Sequence, residues 1–155
     1  MFEDFAPITA ALTALVQTFD EEYTCELGAN FEAVYTDNVI IYSIVMMDDA
    51  ANSFRADFVE RFPHCDDFTT FTLSFFHELG HLETSYDIIN DVADRVYING
   101  MRDKREAERR YYRLHNERIA TDWAGAYLTA HHDEMKAWEK IFLEKLSKVL
   151  DNYPD

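Results

Sequence analysis

Residues 68–82 constrain the fold of this chain more than any other segment, because they combine apolar residues at helical spacing with two histidines on the same helix. Five large apolar side chains fall within about 80° of one another at 100° per residue: Phe68, Phe71, Phe75, Leu79 and Leu82. His77 and His81 lie on the opposite side of that helix. A helix that is apolar on most of its sides is buried, so we expect a central helix whose histidines line an internal cleft.

Residues 77–81 read H-E-L-G-H and carry the metal-binding pattern H-E-x-x-H. Side chains four residues apart lie on one face of a helix, so His77 and His81 can direct two imidazoles at a single Zn²⁺. Glu78 sits beside them, where it can take a proton from zinc-bound water. The pattern therefore predicts a zincin-like hydrolase site with Glu78 as its general base.

Glu117 is a candidate for the third ligand, since catalytic zinc usually binds three protein side chains and leaves one position open. It belongs to a segment with helical character, and small residues lie on the neighbouring faces: Ala120, Thr121, Ala124 and Gly125. Small side chains let two helices approach closely, which would bring the Glu117 carboxylate to the histidines. We therefore predict that His77, His81 and Glu117 are the metal ligands.

Helical spacing of apolar residues continues in the rest of the chain. It covers four further segments: residues 7–22, residues 48–62, residues 103–130 and a last segment with Met135, Trp138, Ile141, Phe142, Leu146 and Val149 on its inner face. Residues 84–100 fit either a helix or an extended stretch. At the start of the metal-site helix, Asp66 or Asp67 would cap the free backbone N–H groups. Five or six helices are therefore expected around the metal-site helix.

Strand-forming residues are concentrated between the first two helices. β-branched and aromatic side chains predict a hairpin of residues 31–35 and 39–47 across a turn at residues 36–38, with room for a further strand. The predicted fold class is therefore α+β: a mostly helical, zincin-like single domain over residues 1–155, with a small antiparallel β-sheet packed beside the metal-site helix.

The charge, cysteine content and hydropathy of the chain argue against several classes of protein. In 155 residues, 30 acidic side chains against 14 basic ones give a net charge of −16, which opposes direct binding to nucleic acid or to anionic membranes. Cys25 and Cys65 are the only cysteines, and the N-terminus has no basic region ahead of an apolar run. No segment has the roughly 18 continuous apolar residues of a membrane span. We expect a cytoplasmic protein of undetermined oligomeric state.

Two segments together resemble a known family. Residues 77–81, followed by residues 117–124 (E-R-I-A-T-D-W-A), look like the gluzincin zinc metallopeptidases of the ImmA/IrrE type. In that family, H-E-x-x-H precedes a helix of the form E-x-x-A-(N/D)-x-(F/W)-A. The resemblance covers roughly residues 68–128. It implies zinc ligation by His77, His81 and Glu117, catalysis by Glu78, and cleavage of a specific protein substrate such as a transcriptional regulator.

Two details of the predicted site stay open at this level. The family pattern has Asn or Asp four residues after the ligand glutamate, where this chain has Thr121, so the partner that orients a histidine ligand could be Thr121, Asp122 or an acid of residues 87–94. The donor that stabilises the oxyanion is equally open. Its candidates are His64, Tyr111, Tyr112, Arg113 and His115.

Two function classes fit these observations. The first is a zinc metallopeptidase that hydrolyses peptide bonds by Glu-assisted attack of zinc-bound water. The second is a catalytically inactive zincin-fold protein that binds a basic partner, as an acidic inhibitor or nucleic-acid mimic would, and the net charge of −16 suits it. Glu78 favours the first class, because a purely structural zinc site needs no general base.

Overall fold

Helices make up most of the computed structural model, which describes residues 2–44, 48–84, 88–111 and 114–152. The described residues form these α-helices: α1 Ala6–Val16, α2 Asp48–Arg61, α3 Thr70–Glu83, α4 Ile88–Asn99, α5 Lys104–Tyr111, α6 His115–Ala130 and α7 His132–Leu150. They also form these strands: β1 Thr24–Leu27, β2 Glu32–Val34 and β3 Val39–Tyr42. The predicted α+β class is confirmed. None of the described helices is both long enough and apolar enough to cross a bilayer.

The sheet is mixed, so the prediction of a purely antiparallel sheet is wrong. The predicted hairpin is present, since β2 pairs antiparallel with β3, with Glu32 opposite Ile41 and Val34 opposite Val39. An additional strand, β1, pairs parallel with the other side of β3 and places Cys25 beside Ile40. Cys25 and Ile40 are both buried in the core, which explains why β1 joins the sheet. The order β1-β3-β2 leaves β2 at an edge.

Helix α3 is the buried central helix that the sequence predicts. Its buried positions include both faces of the helix: Phe71, Thr72, Leu73, Phe75, Phe76, His77, Leu79, Gly80 and His81. Phe71 stacks on Phe142 of α7, with ring centroids 5.1 Å apart. Because α2, α6 and the sheet pack around α3, and α7 contacts it through Phe142 and Glu139, its histidines are held in a fixed frame.

Helix α3 begins later than predicted. Its N-cap is Thr69, whose hydroxyl accepts a hydrogen bond from the Thr72 backbone N–H at 3.2 Å, so neither Asp66 nor Asp67 caps it. The backbone turns through a 3₁₀ helix at Pro63–Cys65 before α3, and the Asp67 carboxylate bonds the His132 ring instead. Buried Glu139 of α7 accepts hydrogen bonds from Thr69 and Thr72, which ties the start of α3 to α7.

Other helix boundaries also differ from the prediction. The pattern over residues 7–22 yields α1, which ends at Val16, while residues 84–100 contain the helix α4. The predicted continuous helix over residues 103–130 is wrong, because the chain forms α5 and α6 with a break between them. Buried Leu114 adopts an extended conformation at that break and starts the new helix. The break allows Tyr111 at the end of α5 to reach Glu117 in the first turn of α6.

Helices α3 and α6 meet backbone to backbone at Gly80. A Cβ atom built on Gly80 would lie 2.4 Å from the carbonyl oxygen of Ala120, which is closer than real side chains come. The small residues on the Glu117 helix therefore permit the close approach that the sequence predicts. This contact sets the spacing between the histidines of α3 and the glutamate of α6.

We predict that Gly80→Ala destabilises the fold strongly, because the added methyl group meets backbone that cannot rotate away. Overpacking of this kind costs about 1–3 kcal/mol and occasionally more, and we expect the upper part of that range. Gly100→Ala is the matched control, since its Cβ would lie 3.6 Å from the carbonyl oxygens of Val96 and Tyr97. Urea unfolding of both variants checks this, and equal stability of the two would contradict the backbone contact.

Candidate metal centre

The three predicted ligands converge on one point between α3 and α6. The Nε2 atoms of His77 and His81 lie 2.7 Å and 3.2 Å from the same oxygen of Glu117, Oε2. All three side chains are buried, with relative exposures of 5–6%. Residues that are 36 to 40 positions apart in the chain are thus brought together as the sequence predicts.

Glu78 lies beside this triad. One of its carboxylate oxygens and the ring nitrogens of His77 and His81 all lie within 4.8 Å of one another. Burial raises the pKa of the Glu78 carboxyl, and the positive imidazoles only partly offset that effect. A carboxyl with a raised pKa is a better proton acceptor than an ordinary surface glutamate.

The electrostatics of the triad favour a charged carboxylate. Burial alone would raise the pKa of Glu117, but its hydrogen bonds to His77 and His81 outweigh burial and hold that pKa well below its usual range. For His77 the effect of burial is the opposite, since burial by itself would lower the pKa of the imidazole. The hydrogen bond to Glu117 and the negative charge of Glu78 outweigh it and raise that pKa. Two imidazoles and an anionic carboxylate therefore stabilise one another at the site.

Thr121 orients the first histidine. Its hydroxyl lies 2.8 Å from Nδ1 of His77, which fixes the ring so that Nε2 points at Glu117. Of the other candidates, Asp122 is half exposed and pairs with Arg61. The Asp94 carboxylate lies 3.4 Å from the backbone N–H of His115, and the side chains of Asp87 and Asp91 fall outside the described part of the structure. Among the described candidates, Thr121 is therefore the one that lies against a ring of the triad. A hydroxyl in this position can orient the imidazole.

The second oxygen of Glu117 has partners of its own. Oε1 lies 3.1 Å from an Nη atom of Arg95 in α4 and 3.2 Å from the hydroxyl of Tyr111 in α5. Tyr111 is among the candidates for oxyanion donor, but sequence reasoning missed Arg95. The available signal was weak: Arg95 is the single basic residue in the acidic and apolar segment 84–100.

The other oxyanion candidates lie elsewhere or outside the described residues. His64 borders a separate cleft with Asp67 and His132, on another part of the surface. His115 is exposed, and its backbone N–H lies 3.4 Å from the carboxylate of Asp94. Tyr112 and Arg113 fall outside the residues that the structure describes. Among the three candidates that the structure describes, Tyr111 is the one that lies at the triad.

A cleft of about 420 Å³ opens onto the triad. On one side it is lined by the edge of the sheet, with Phe31, Glu32, Ala33 and Tyr35, and on the other side by Arg95 and Tyr111. Glu78, His81 and Glu117 form its floor. A smaller cleft of about 170 Å³ reaches His77 between Phe31 and Phe54. The candidate centre is therefore buried but accessible from two directions.

The donor set suits zinc. Two imidazole nitrogens and one carboxylate oxygen form a common ligand set for catalytic Zn²⁺. Both Nε2 atoms already face one Glu117 oxygen, so a divalent cation that replaced the protons there would meet three ligands aimed at one point. Cys25 and Cys65 are both buried in the hydrophobic core, and neither belongs to this group. The described residues thus fit a zinc ion of the His₂Glu type.

Comparison of the chain with protein-family models, curated proteins and solved structures found no match.

Proposed function

We propose that this protein is a zinc-dependent peptidase, similar in its site to the ImmA/IrrE-type gluzincins. His77, His81 and Glu117 would hold the metal, and Glu78 would act as general base. The convergence of both histidine Nε2 atoms on one oxygen of Glu117 carries the proposal. The Glu78 carboxylate beside those ring nitrogens supports catalysis over a purely structural role.

Each side chain has a defined task in this reaction. A bound zinc ion supplies Lewis acidity, which polarises the peptide carbonyl and acidifies water. Glu78 accepts a proton from the attacking water as the water oxygen bonds to the carbonyl carbon. The carbon–nitrogen bond then breaks as Glu78 returns the proton to the leaving amine. Thr121 keeps the His77 ring in place throughout, because its hydroxyl bonds Nδ1.

The cleft supports a peptide as substrate. Strand β2 is an edge strand, and Glu32 and Ala33 of this strand line the cleft beside Glu78. An extended peptide can pair its backbone with such an edge, so that its carbonyl groups pass over the cleft floor. The rings of Phe31 and Tyr35 offer apolar walls for side chains next to the scissile bond. A protein segment in extended conformation, such as a loop of a transcriptional regulator, fits this description.

A second candidate function is binding without catalysis. The net charge of −16 supports it, because an acidic surface attracts basic partners and mimics nucleic acid. An inhibitor of this kind would need neither zinc nor Glu78. Binding of a basic partner that is unchanged by His77→Ala and Glu78→Gln would favour this function over the peptidase.

Metal removal tests the proposal. Zinc-loaded protein is incubated with a degenerate peptide mixture and with candidate regulators, and the products are identified by mass spectrometry. We expect cleavage that disappears after dialysis against a chelator and returns with zinc. His77→Ala protein, purified in the same way, controls for contaminating proteases. Cleavage that persists without zinc, or one bound zinc per chain with no zinc-dependent cleavage, would contradict the proposal.

A further inference from the structure

The Arg95 guanidinium contacts the Glu117 carboxylate, whose other oxygen lies at the candidate metal position. Its Nη2 atom is 3.1 Å from Oε1 of Glu117, while Oε2 of the same carboxylate faces the two histidines. The two oxygens of a carboxylate are bonded to the same carbon atom, so these two contacts are close together. Positive charge from α4 is therefore placed at the edge of the candidate centre.

Arg95 also faces the cleft. Its side chain is 44% exposed, although Glu117 itself is only 6% exposed. Among the described residues that line the larger cleft, Arg95 is the only lysine or arginine, and it shares that cleft with Glu78. A guanidinium carries five N–H donors in a planar fork, which lets it contact more than one acceptor. The side chain is therefore suited to hold Glu117 and to meet a ligand at the same time.

We infer that Arg95 stabilises the oxyanion of peptide hydrolysis, and this inference rests on the proposed function. When water adds to the carbonyl carbon, its proton passes to Glu78 and the carbonyl π electrons move onto the carbonyl oxygen. When the carbon–nitrogen bond breaks, those electrons re-form the carbonyl and the proton goes to the amine. The negative charge exists only between these events, so a fixed cation in the same cleft stabilises the transition state more than the neutral substrate.

Neighbouring groups hold the guanidinium in place. Its central carbon lies 5.6 Å from the centroid of the Tyr111 ring, a cation–π distance, and the Tyr111 hydroxyl shares Oε1 of Glu117 with it. Tyr111 is therefore a positioning residue for Arg95 and Glu117. Preorganisation of this kind gives an oxyanion donor its effect, because no reorientation is needed during the reaction.

Kinetics of Arg95 variants provide the first test. For Arg95→Gln assayed at saturating zinc we expect kcat to fall about 10²–10³-fold with KM nearly unchanged, while zinc affinity falls by no more than the roughly 10–100-fold expected for a partner of a metal ligand. Arg95→Lys keeps the charge without the planar fork and should retain part of the rate. Arg102→Gln, which removes an exposed charge just beyond α4, is the matched control and should keep the wild-type rate. If kcat at saturating zinc equals the wild-type value and only zinc affinity falls, Arg95 merely supports Glu117 and the inference is overturned.

Binding of a transition-state analogue provides the second test and requires no turnover. The probe is a phosphinic pseudopeptide with apolar residues on both sides of phosphorus, measured by calorimetry on zinc-loaded protein. Arg95→Gln should weaken this tetrahedral anion about 10²–10³-fold, while binding of the matching peptide to Glu78→Gln protein should not depend on Arg95.

The outcomes separate the two claims. Equal phosphinate affinity in wild type and Arg95→Gln overturns the role of Arg95, even if the wild type cleaves peptides. Arg95-dependent phosphinate binding by a wild type that cleaves nothing overturns the peptidase function but supports the anion site at Arg95. Absence of phosphinate binding by zinc-loaded wild type counts against both.

Discussion

Glu78→Gln should lower kcat for peptide cleavage by roughly 10²–10⁴-fold, the contribution of a general base, while zinc binding stays intact. Glutamine keeps the shape of the side chain but cannot accept the proton of the attacking water. Glu78 is not among the three side chains that meet at Oε2 of Glu117, so its replacement leaves the proposed ligands in place. Single-turnover cleavage and zinc content, measured on the same preparation, check both halves of this prediction.

The same helix supplies a control for Glu78. Glu83 also belongs to α3 and is partly buried, but its neighbour is Tyr23, away from the triad. Glu83→Gln should therefore cleave peptides at the wild-type rate. A Glu78→Gln protein that cleaves as fast as Glu83→Gln would exclude Glu78 as the base.

Glu117→Gln should weaken zinc binding strongly. Loss of a residue that only orients a metal ligand costs roughly 10–100-fold in metal affinity, and loss of a ligand itself should cost more. The Glu117 carboxylate provides the oxygen on which both histidines converge and the only negative charge in the proposed ligand set. A neutral amide oxygen is a much poorer ligand for Zn²⁺. Competition with a chromophoric chelator measures the affinity, and circular dichroism verifies that the variant is folded.

Asp122→Asn is the matched control for Glu117. Asp122 lies five residues later in α6, is half exposed and pairs with Arg61. Its replacement removes one negative charge from the same helix without touching the triad, so zinc affinity should stay close to the wild-type value. Similar losses in both variants would indicate that general acidity, and not the Glu117 ligand, governs metal binding.

The parts of the site that the sequence predicts are those encoded by local spacing. The period of residues 68–82 places His77 and His81 on one face and apolar residues on the other, because helix geometry alone fixes those directions. The small residues of α6 predict its close approach to α3, and Gly80 against Ala120 confirms that approach. Neither inference needs knowledge of a distant partner.

The parts that the sequence could not predict depend on tertiary contacts. Thr69 caps α3 because buried Glu139 from α7 organises that end, whereas the nearby aspartates are stronger candidates by local preference. Arg95 reaches Glu117 only because α4 packs beside α6. Strand β1 is short, and its parallel pairing with β3 follows from burial of Cys25 and not from a local turn signal.

Peptidase activity in this protein would depend most on the identity of the metal ligands. X-ray absorption at the zinc edge of the loaded protein tests it directly. We predict one zinc per chain, bound by two imidazole nitrogens at about 2.0–2.1 Å and by carboxylate oxygen, with the oxygen contribution altered in Glu117→Gln. Sulfur scattering at about 2.3 Å, or a zinc ion with no imidazole signature, would contradict the proposed centre of His77, His81 and Glu117.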